Sequence, residues 1–108
     1  MPIYNKLVRD KIPQIIKNGG KVPRTRILDK DEYLGELNAK LREESEEYFR
    51  ANNPQDALEE LADMLEVIRA LAVARGVSWE QLEDIRINKV EARGGFKERV
   101  YLIDVHDV

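Results

Sequence analysis

Apolar residues recur every three or four positions along most of the chain between residues 30 and 93. This spacing is typical of helices that pack on one side and face water on the other. It predicts three long helices, at about residues 30–51, at about residues 54–75, and from Ser78 to about Arg93. The apolar stripe of the first helix is Leu34, Leu37, Leu41 and Tyr48. That of the second is Leu58, Leu61, Met64, Leu65, Ile68, Leu71 and Ala72, and that of the third is Leu82, Ile85 and Val90.

Residues that favour helix ends flank these three segments. Asp29, Asn53 and Ser78 precede the stripes and predict N-caps, because their side-chain oxygens can accept bonds from the free amides of a first turn. Glu32 and Gln81 stand three residues after two of these caps, which is the capping-box pattern. Glycines at position 76 and positions 94–95 predict where the second and third helices end.

The two ends of the chain predict shorter elements. Residues 5–18 form an amphipathic segment, in which Pro13 favours a helix whose first turn begins nearby. Residues 25–28 alternate in polarity and predict a short strand, and residues 100–103 predict a terminal strand that could pair with it. We therefore expect a mostly all-α fold: an antiparallel hairpin, a third helix across it, and a small extended edge.

The size of the chain suits one domain, residues 1–108. Apolar residues make up 43% of it, which is enough for a core. Three helices of this length nevertheless enclose a thin core, because a small domain buries a modest share of its surface. We expect the bundle to be completed by self-association, as a homodimer or a homotetramer.

The composition excludes several classes of protein. The chain has no cysteine, which rules out a disulfide framework and a thiolate metal site. No apolar run approaches the roughly 20 residues that a membrane span needs, and residues 1–6 lack an apolar signal region. We expect a soluble cytoplasmic protein without a membrane partner.

Charge is distributed unevenly along the chain. Residues 1–30 hold eight Lys/Arg and two Asp/Glu, whereas residues 31–66 hold three Lys/Arg and twelve Asp/Glu. A basic arm beside an acidic centre suits an anionic ligand that arrives with a cation. It equally suits an arm that simply packs on the acidic helices, and charge alone does not decide between them.

Four of the acidic residues lie beside the apolar stripes. Glu44 and Glu47 in the first long helix, and Glu60 and Asp63 in the second, are each spaced three apart and therefore share a helical face. The phase of the first helix places Glu44 and Glu47 on the flank of the stripe. Carboxylates at the margin of a core are costly unless they are paired or bind a cation. Most Glu-rich helices are simply solvated, so this phase is what distinguishes the four acids.

The types of residue favour a hard cation at these acids. Facing helices of a bundle can supply inward carboxylates to metal ions. Mg²⁺ prefers oxygen ligands, and the absence of histidine near the acids argues for Mg²⁺, or Mn²⁺, over zinc or iron. The one histidine, His106, lies near the C-terminus and is expected at the surface.

Four segments of the chain resemble a known family. The motif Glu-Glu-x-x-Glu at residues 43–47, Glu-x-x-Asp at 60–63, the opening 4–12 and the late segment 88–96 are similar to the all-α nucleoside triphosphate pyrophosphohydrolases. This superfamily includes MazG-like proteins, dimeric dUTPases and phosphoribosyl-ATP pyrophosphohydrolase. The resemblance is to a small, single-domain, MazG-like branch that is similar to phosphoribosyl-ATP pyrophosphohydrolase.

The resemblance implies Mg²⁺-dependent cleavage between the α and β phosphates of a nucleotide, giving a monophosphate and pyrophosphate. Glu44, Glu47, Glu60 and Asp63 match the family's metal ligands, and Glu47 is expected to orient the attacking water. Glu43 matches the first acid of the motif, but its helical phase points it away. The basic opening segment is not typical of the histidine-pathway enzyme, which leaves phosphoribosyl-ATP open as a substrate.

Polar residues outside the acid motifs are candidates for binding the nucleotide. Lys89 and Arg93 are four apart on one helical face and could contact phosphates, or serve as surface bases paired with nearby glutamates. The remaining candidates are Lys6, Arg9 and Lys11 in the basic arm, and Asn88 for a base or sugar edge.

Two other classes of function compete with the enzyme. A non-enzymatic helical dimerisation module would place the acids on an interaction face. A nucleic-acid binder would use the basic arm, but the acidic pI of about 5.3 and the lack of aromatics between the basic residues argue against it.

Overall fold

The computed structural model describes residues 2–107 and contains four helices within that range. They are α1, Ile12–Asn18; α2, Lys30–Arg50; α3, Pro54–Ala74; and α4, Trp79–Arg93. The helical fold class is therefore confirmed, and the long helices end within a residue or so of the positions that the sequence predicts.

The three predicted N-caps form, and they fix where the long helices begin. The backbone N–H of Glu32 donates to Asp29 at 2.9 Å, and that of Asp56 donates to Asn53 at 2.9 Å. At α4, Gln81 N–H donates to Ser78 Oγ at 3.1 Å, while Ser78 N–H donates back to the Gln81 side chain at 2.8 Å. This completes a capping box. The Glu32 side chain is instead bound by Arg26, at 2.7 Å.

Helices α2 and α3 form the hairpin and share the largest interface of the fold. Each has 21 residues, and residues 51–53 join them. Leu37 of α2 and Ala72 of α3 are the buried apolar side chains among the described residues. Helix α4 contacts α3 much less extensively and buries no residue. The hairpin is thus the most extensively packed part of the fold, and it can position side chains of a site.

The apolar stripe of α3 is only partly covered. Leu58, Leu61 and Leu65 remain 60%, 43% and 48% exposed. The chain exposes 10,125 Å², whereas a compact monomer of this mass exposes about 6,200 Å². Its radius of gyration is 18.7 Å, against about 13 Å for a compact chain of this length. The thin core expected from the sequence is therefore found, and self-association stays a prediction.

The strand prediction for the edge of the fold is wrong within residues 2–107. Residues 25–28 and 100–103 adopt neither helix nor strand, and the side chains of residues 100–103 are exposed. Two short strands without a third strand or a packed helix are marginally stable, so local alternation alone does not create a sheet. No helix in the described part of the chain is long and apolar enough to span a membrane.

Candidate metal centre

The hairpin brings three of the four predicted acids together. Glu44 and Glu47 extend from α2 and Glu60 from α3, and one carboxylate oxygen from each lies within 4.8 Å of the others. We call these three residues the acid cluster. The spacing of three within α2 puts its two members on one face, and the packing of α3 against that face supplies the third.

Two oxygens of the acid cluster are buried without a hydrogen-bond partner. They are Glu44 Oε2 and Glu60 Oε2. Glu44 is 8% exposed and is the buried charged residue of the described chain. A buried carboxylate that lacks a partner is strongly disfavoured, so these atoms require a proton or a cation.

The same crowding changes the acidity of the cluster. Burial, together with the neighbouring Glu60 and Glu47 carboxyls, raises the pKa of Glu44 to about 7. Once Glu44 carries a proton it can donate to Glu60, which lowers the pKa of Glu60, but burial and the neighbouring Glu47 and Asp63 carboxylates outweigh this and leave that pKa raised. In the absence of a cation, the cluster therefore holds a proton on Glu44 up to about neutral pH.

Lys40 is a neighbour of the cluster that the sequence reasoning did not single out. Its ammonium lies 3.5 Å from Glu43 and 3.9 Å from Glu44. Since Lys40 stands four positions before Glu44 on one helix, the i, i+4 rule could have identified it. Glu43 lies outside the cluster and Glu46 is exposed, as helical phase predicted.

Asp63, the fourth predicted acid, is engaged by the basic arm. Arg9 Nη2 donates to Asp63 Oδ1 at 2.6 Å. Asp63 is not a member of the cluster of mutually close oxygens. The arm thus packs on the acidic helices, one of the two alternatives that the charge pattern left open. A pair 54 positions apart in sequence carries no local pattern, which is why the sequence could not reveal it.

The other candidate substrate-binding residues are exposed. Lys6 lies over the ring of Tyr4, with its ammonium 5.8 Å from the ring centroid. Lys89 and Arg93 line an open groove at the end of α4, together with Arg86, Gly94 and Phe96. Lys11 and Asn88 are also exposed. The structure thus groups the α4 bases and leaves the arm residues separate from them.

The acid cluster meets the requirements of a hard divalent cation. Its donors are all carboxylate oxygens, which Mg²⁺ and Mn²⁺ accept and which zinc sites rarely use alone. Two of its oxygens are buried without a partner. Glu44, Glu47 and Glu60 could hold such an ion directly, with Asp63 beside them.

Comparison with known proteins supports the same interpretation. A family model described as phosphoribosyl-ATP pyrophosphohydrolase matches residues 20–89, which include all four acids. The chain belongs to this family. Membership confirms the resemblance drawn from the acidic motifs, and it places the chain among the MazG-like, all-α pyrophosphohydrolases.

A relative and the solved structures add little about activity. An uncharacterized protein of Mycolicibacterium smegmatis (strain ATCC 700084 / mc(2)155) is 46% identical over 54 residues, which cover 50% of this chain and 55% of that protein. The chain thus spans about half the length of this relative. No solved structure matches the chain.

Proposed function

We propose that this protein is a Mg²⁺-dependent nucleoside triphosphate pyrophosphohydrolase that cleaves between the α and β phosphates. The observation that carries the proposal is the pair of partnerless buried oxygens, Glu44 Oε2 and Glu60 Oε2, on facing helices. Both residues lie within the segment that the pyrophosphohydrolase family model matches. Buried carboxylates that crowd one another are typical of sites that bind a divalent cation.

The roles of the acids follow from their positions. When bound, Mg²⁺ or Mn²⁺ would neutralise charge that develops on the phosphates. Glu44 and Glu60 would hold the ion, since their buried oxygens have no other partner. Glu47 and Asp63 would complete its surroundings. Glu47 is half-buried at the edge of the cluster, which suits a carboxylate that orients a water for in-line attack.

Basic residues of the arm and of α4 would bind the nucleotide. Arg9 contacts Asp63, one turn after Glu60 on α3, so the segment that carries Lys6 and Lys11 lies on the acidic side of the hairpin. Lys89 and Arg93 present two cations along one groove, a suitable arrangement for phosphates. Asn88 adjoins them and could contact a base or sugar edge.

Self-association is part of the proposal. The exposed surface exceeds that of a compact monomer by roughly 4,000 Å², and the apolar stripe of α3 lies open. A homodimer or homotetramer would cover this stripe. We expect a cytoplasmic enzyme, because its nucleotide substrates are found there. The exposed stripe also supports the alternative, a non-enzymatic helical dimerisation module.

An assay of pyrophosphate release tests the proposal. The full chain is incubated with a panel of nucleoside triphosphates, deoxynucleoside triphosphates and phosphoribosyl-ATP, with and without Mg²⁺. We expect Mg²⁺-dependent release from at least one substrate and its loss in Glu44→Gln. Glu46→Gln is the matched control, because Glu46 is an exposed acid two positions away on the same helix. Equal rates for wild type and Glu44→Gln on every substrate would contradict the proposal and favour the interaction module.

A further inference from the structure

Arg9 reaches the acidic face of the hairpin from outside it. Its Nη2 lies 2.6 Å from Asp63 Oδ1, and the two side chains are 60% and 40% exposed. Leu7 and Val8, the residues before Arg9, are half-buried, whereas residues 2–6 are exposed. Within the described residues, the arm is therefore anchored around Arg9.

Asp63 differs from the acid cluster because its carboxylate is already paired with a basic side chain, that of Arg9. Glu44 Oε2 and Glu60 Oε2 have no partner, whereas the oxygen Asp63 Oδ1 is held by a guanidinium. Asp63 stands three positions after Glu60 on the same helical face. It is close enough that its charge raises the pKa of both Glu44 and Glu60. A cation in the cluster would therefore lie beside the Arg9–Asp63 pair.

We propose that Arg9 is a built-in counter-ion, which holds Asp63 until a divalent cation enters the acid cluster and then releases it. This inference rests on the proposed function. The guanidinium and the cation would compete for the same carboxylate and would repel each other at short range. An exposed ion pair contributes little stability, so replacing the Arg9 guanidinium by the divalent cation at Asp63 would cost little free energy. Release would free the arm, so its bases would reach a nucleotide only after the metal has bound.

Metal affinity provides the first test. Binding of Mn²⁺ to the full chain is measured by calorimetry for wild type, Arg9→Gln, Arg26→Gln and Lys11→Gln. Since the competing guanidinium is lost, we expect Arg9→Gln to bind about two- to five-fold more tightly. Arg26→Gln is the matched control, because Arg26 forms a similar exposed pair with Glu32 at 2.7 Å. Lys11→Gln removes a nearby arm charge without removing the Asp63 contact.

The result for Arg9→Gln decides the inference. Binding equal to that of wild type, weaker than wild type, or no tighter than that of Lys11→Gln would overturn it. If wild type itself does not bind Mn²⁺, both the proposed function and the inference fail. If wild type binds Mn²⁺ and only the gain in Arg9→Gln is missing, the inference alone fails.

Limited trypsin digestion gives a second readout that is independent of affinity and activity. Cleavage after Lys6 and Lys11 reports release of the part of the arm around Arg9, residues 2–11, and cleavage after Arg26, in the segment between α1 and α2, serves as the internal reference. We expect saturating Mn²⁺ to speed cleavage of the arm relative to Arg26 in wild type. In Arg9→Gln the arm should be cleaved quickly with or without Mn²⁺. Protection of the arm by Mn²⁺ in wild type would overturn the inference.

Discussion

Glu44 of α2 and Glu60 of α3 meet across the hairpin, with carboxylate oxygens within 4.8 Å of each other, and each has a buried oxygen without a hydrogen-bond partner. The geometry of the hairpin creates this relationship, since neither helix alone would bury either atom. Such an arrangement is expected to destabilise the metal-free protein, and a bound cation would relieve the cost. The instability of the empty cluster and its proposed role in binding a cation would then have the same physical origin.

Metal binding should therefore raise thermal stability. At a Mg²⁺ or Mn²⁺ concentration of 100 times Kd, a single site adds about 2.7 kcal/mol to the free energy of unfolding. The melting temperature of wild type should rise by several degrees, as measured by differential scanning calorimetry. Glu44→Gln should lose this rise, and Glu46→Gln should keep it. A rise of the same size in Glu44→Gln would show that the ion binds elsewhere.

The acidity of Glu44 predicts how metal-free stability depends on pH. The pKa of this carboxyl is about 7 in the folded protein and 4.5 in the reference state. Between pH 4.5 and 7 the folded protein binds more protons at Glu44 than the unfolded chain does. Protonation of Glu44 therefore stabilises the fold fully below pH 4.5, and this stabilisation is lost as the pH rises to 7. The loss amounts to at most about 3 kcal/mol.

Chemical denaturation of the chelator-treated protein across that pH range measures this effect. Glu44→Gln should flatten the decline in the free energy of unfolding between pH 4.5 and 7. Because the variant removes the buried charge, it should also be more stable than wild type at pH 8 without metal. A decline of equal steepness in both proteins would mean that other groups control it.

Local chemistry accounts for what the sequence could predict. The caps at Asp29, Asn53 and Ser78 are short-range contacts, so their residue types fix the starts of the helices. Helical phase likewise separated Glu44 from Glu46. No local pattern determines how distant segments of the chain meet. The sequence therefore did not reveal the Arg9–Asp63 pair, and it wrongly suggested that residues 25–28 pair with residues 100–103. The burial of Glu60 Oε2 depends on the packing of α2 against α3 for the same reason.

The capping box at Ser78 predicts a specific loss of stability. Ser78→Ala removes the acceptor for Gln81 N–H and should lower the free energy of unfolding by about 1 kcal/mol. Ser45→Ala is the control, because Ser45 Oγ donates to the Leu41 carbonyl within α2, at 2.8 Å. Such back-bonding contributes little to a helix, so this change should be nearly neutral. Urea denaturation measures both variants, and equal effects would contradict the assigned role of the cap.

The open face of α3 predicts an oligomer that a single charge disrupts. Leu58 is 60% exposed on a stripe that continues through Leu61 and Leu65. Placing a carboxylate within an apolar interface is costly, so Leu58→Glu should shift the protein towards monomer in analytical ultracentrifugation. Its melting temperature should fall as well, since a chain with so little core depends on its partner. Glu59→Lys, a charge change on another face of α3, should leave the oligomer intact. If wild type sediments as a monomer at micromolar concentrations, the stripe is not a self-association surface.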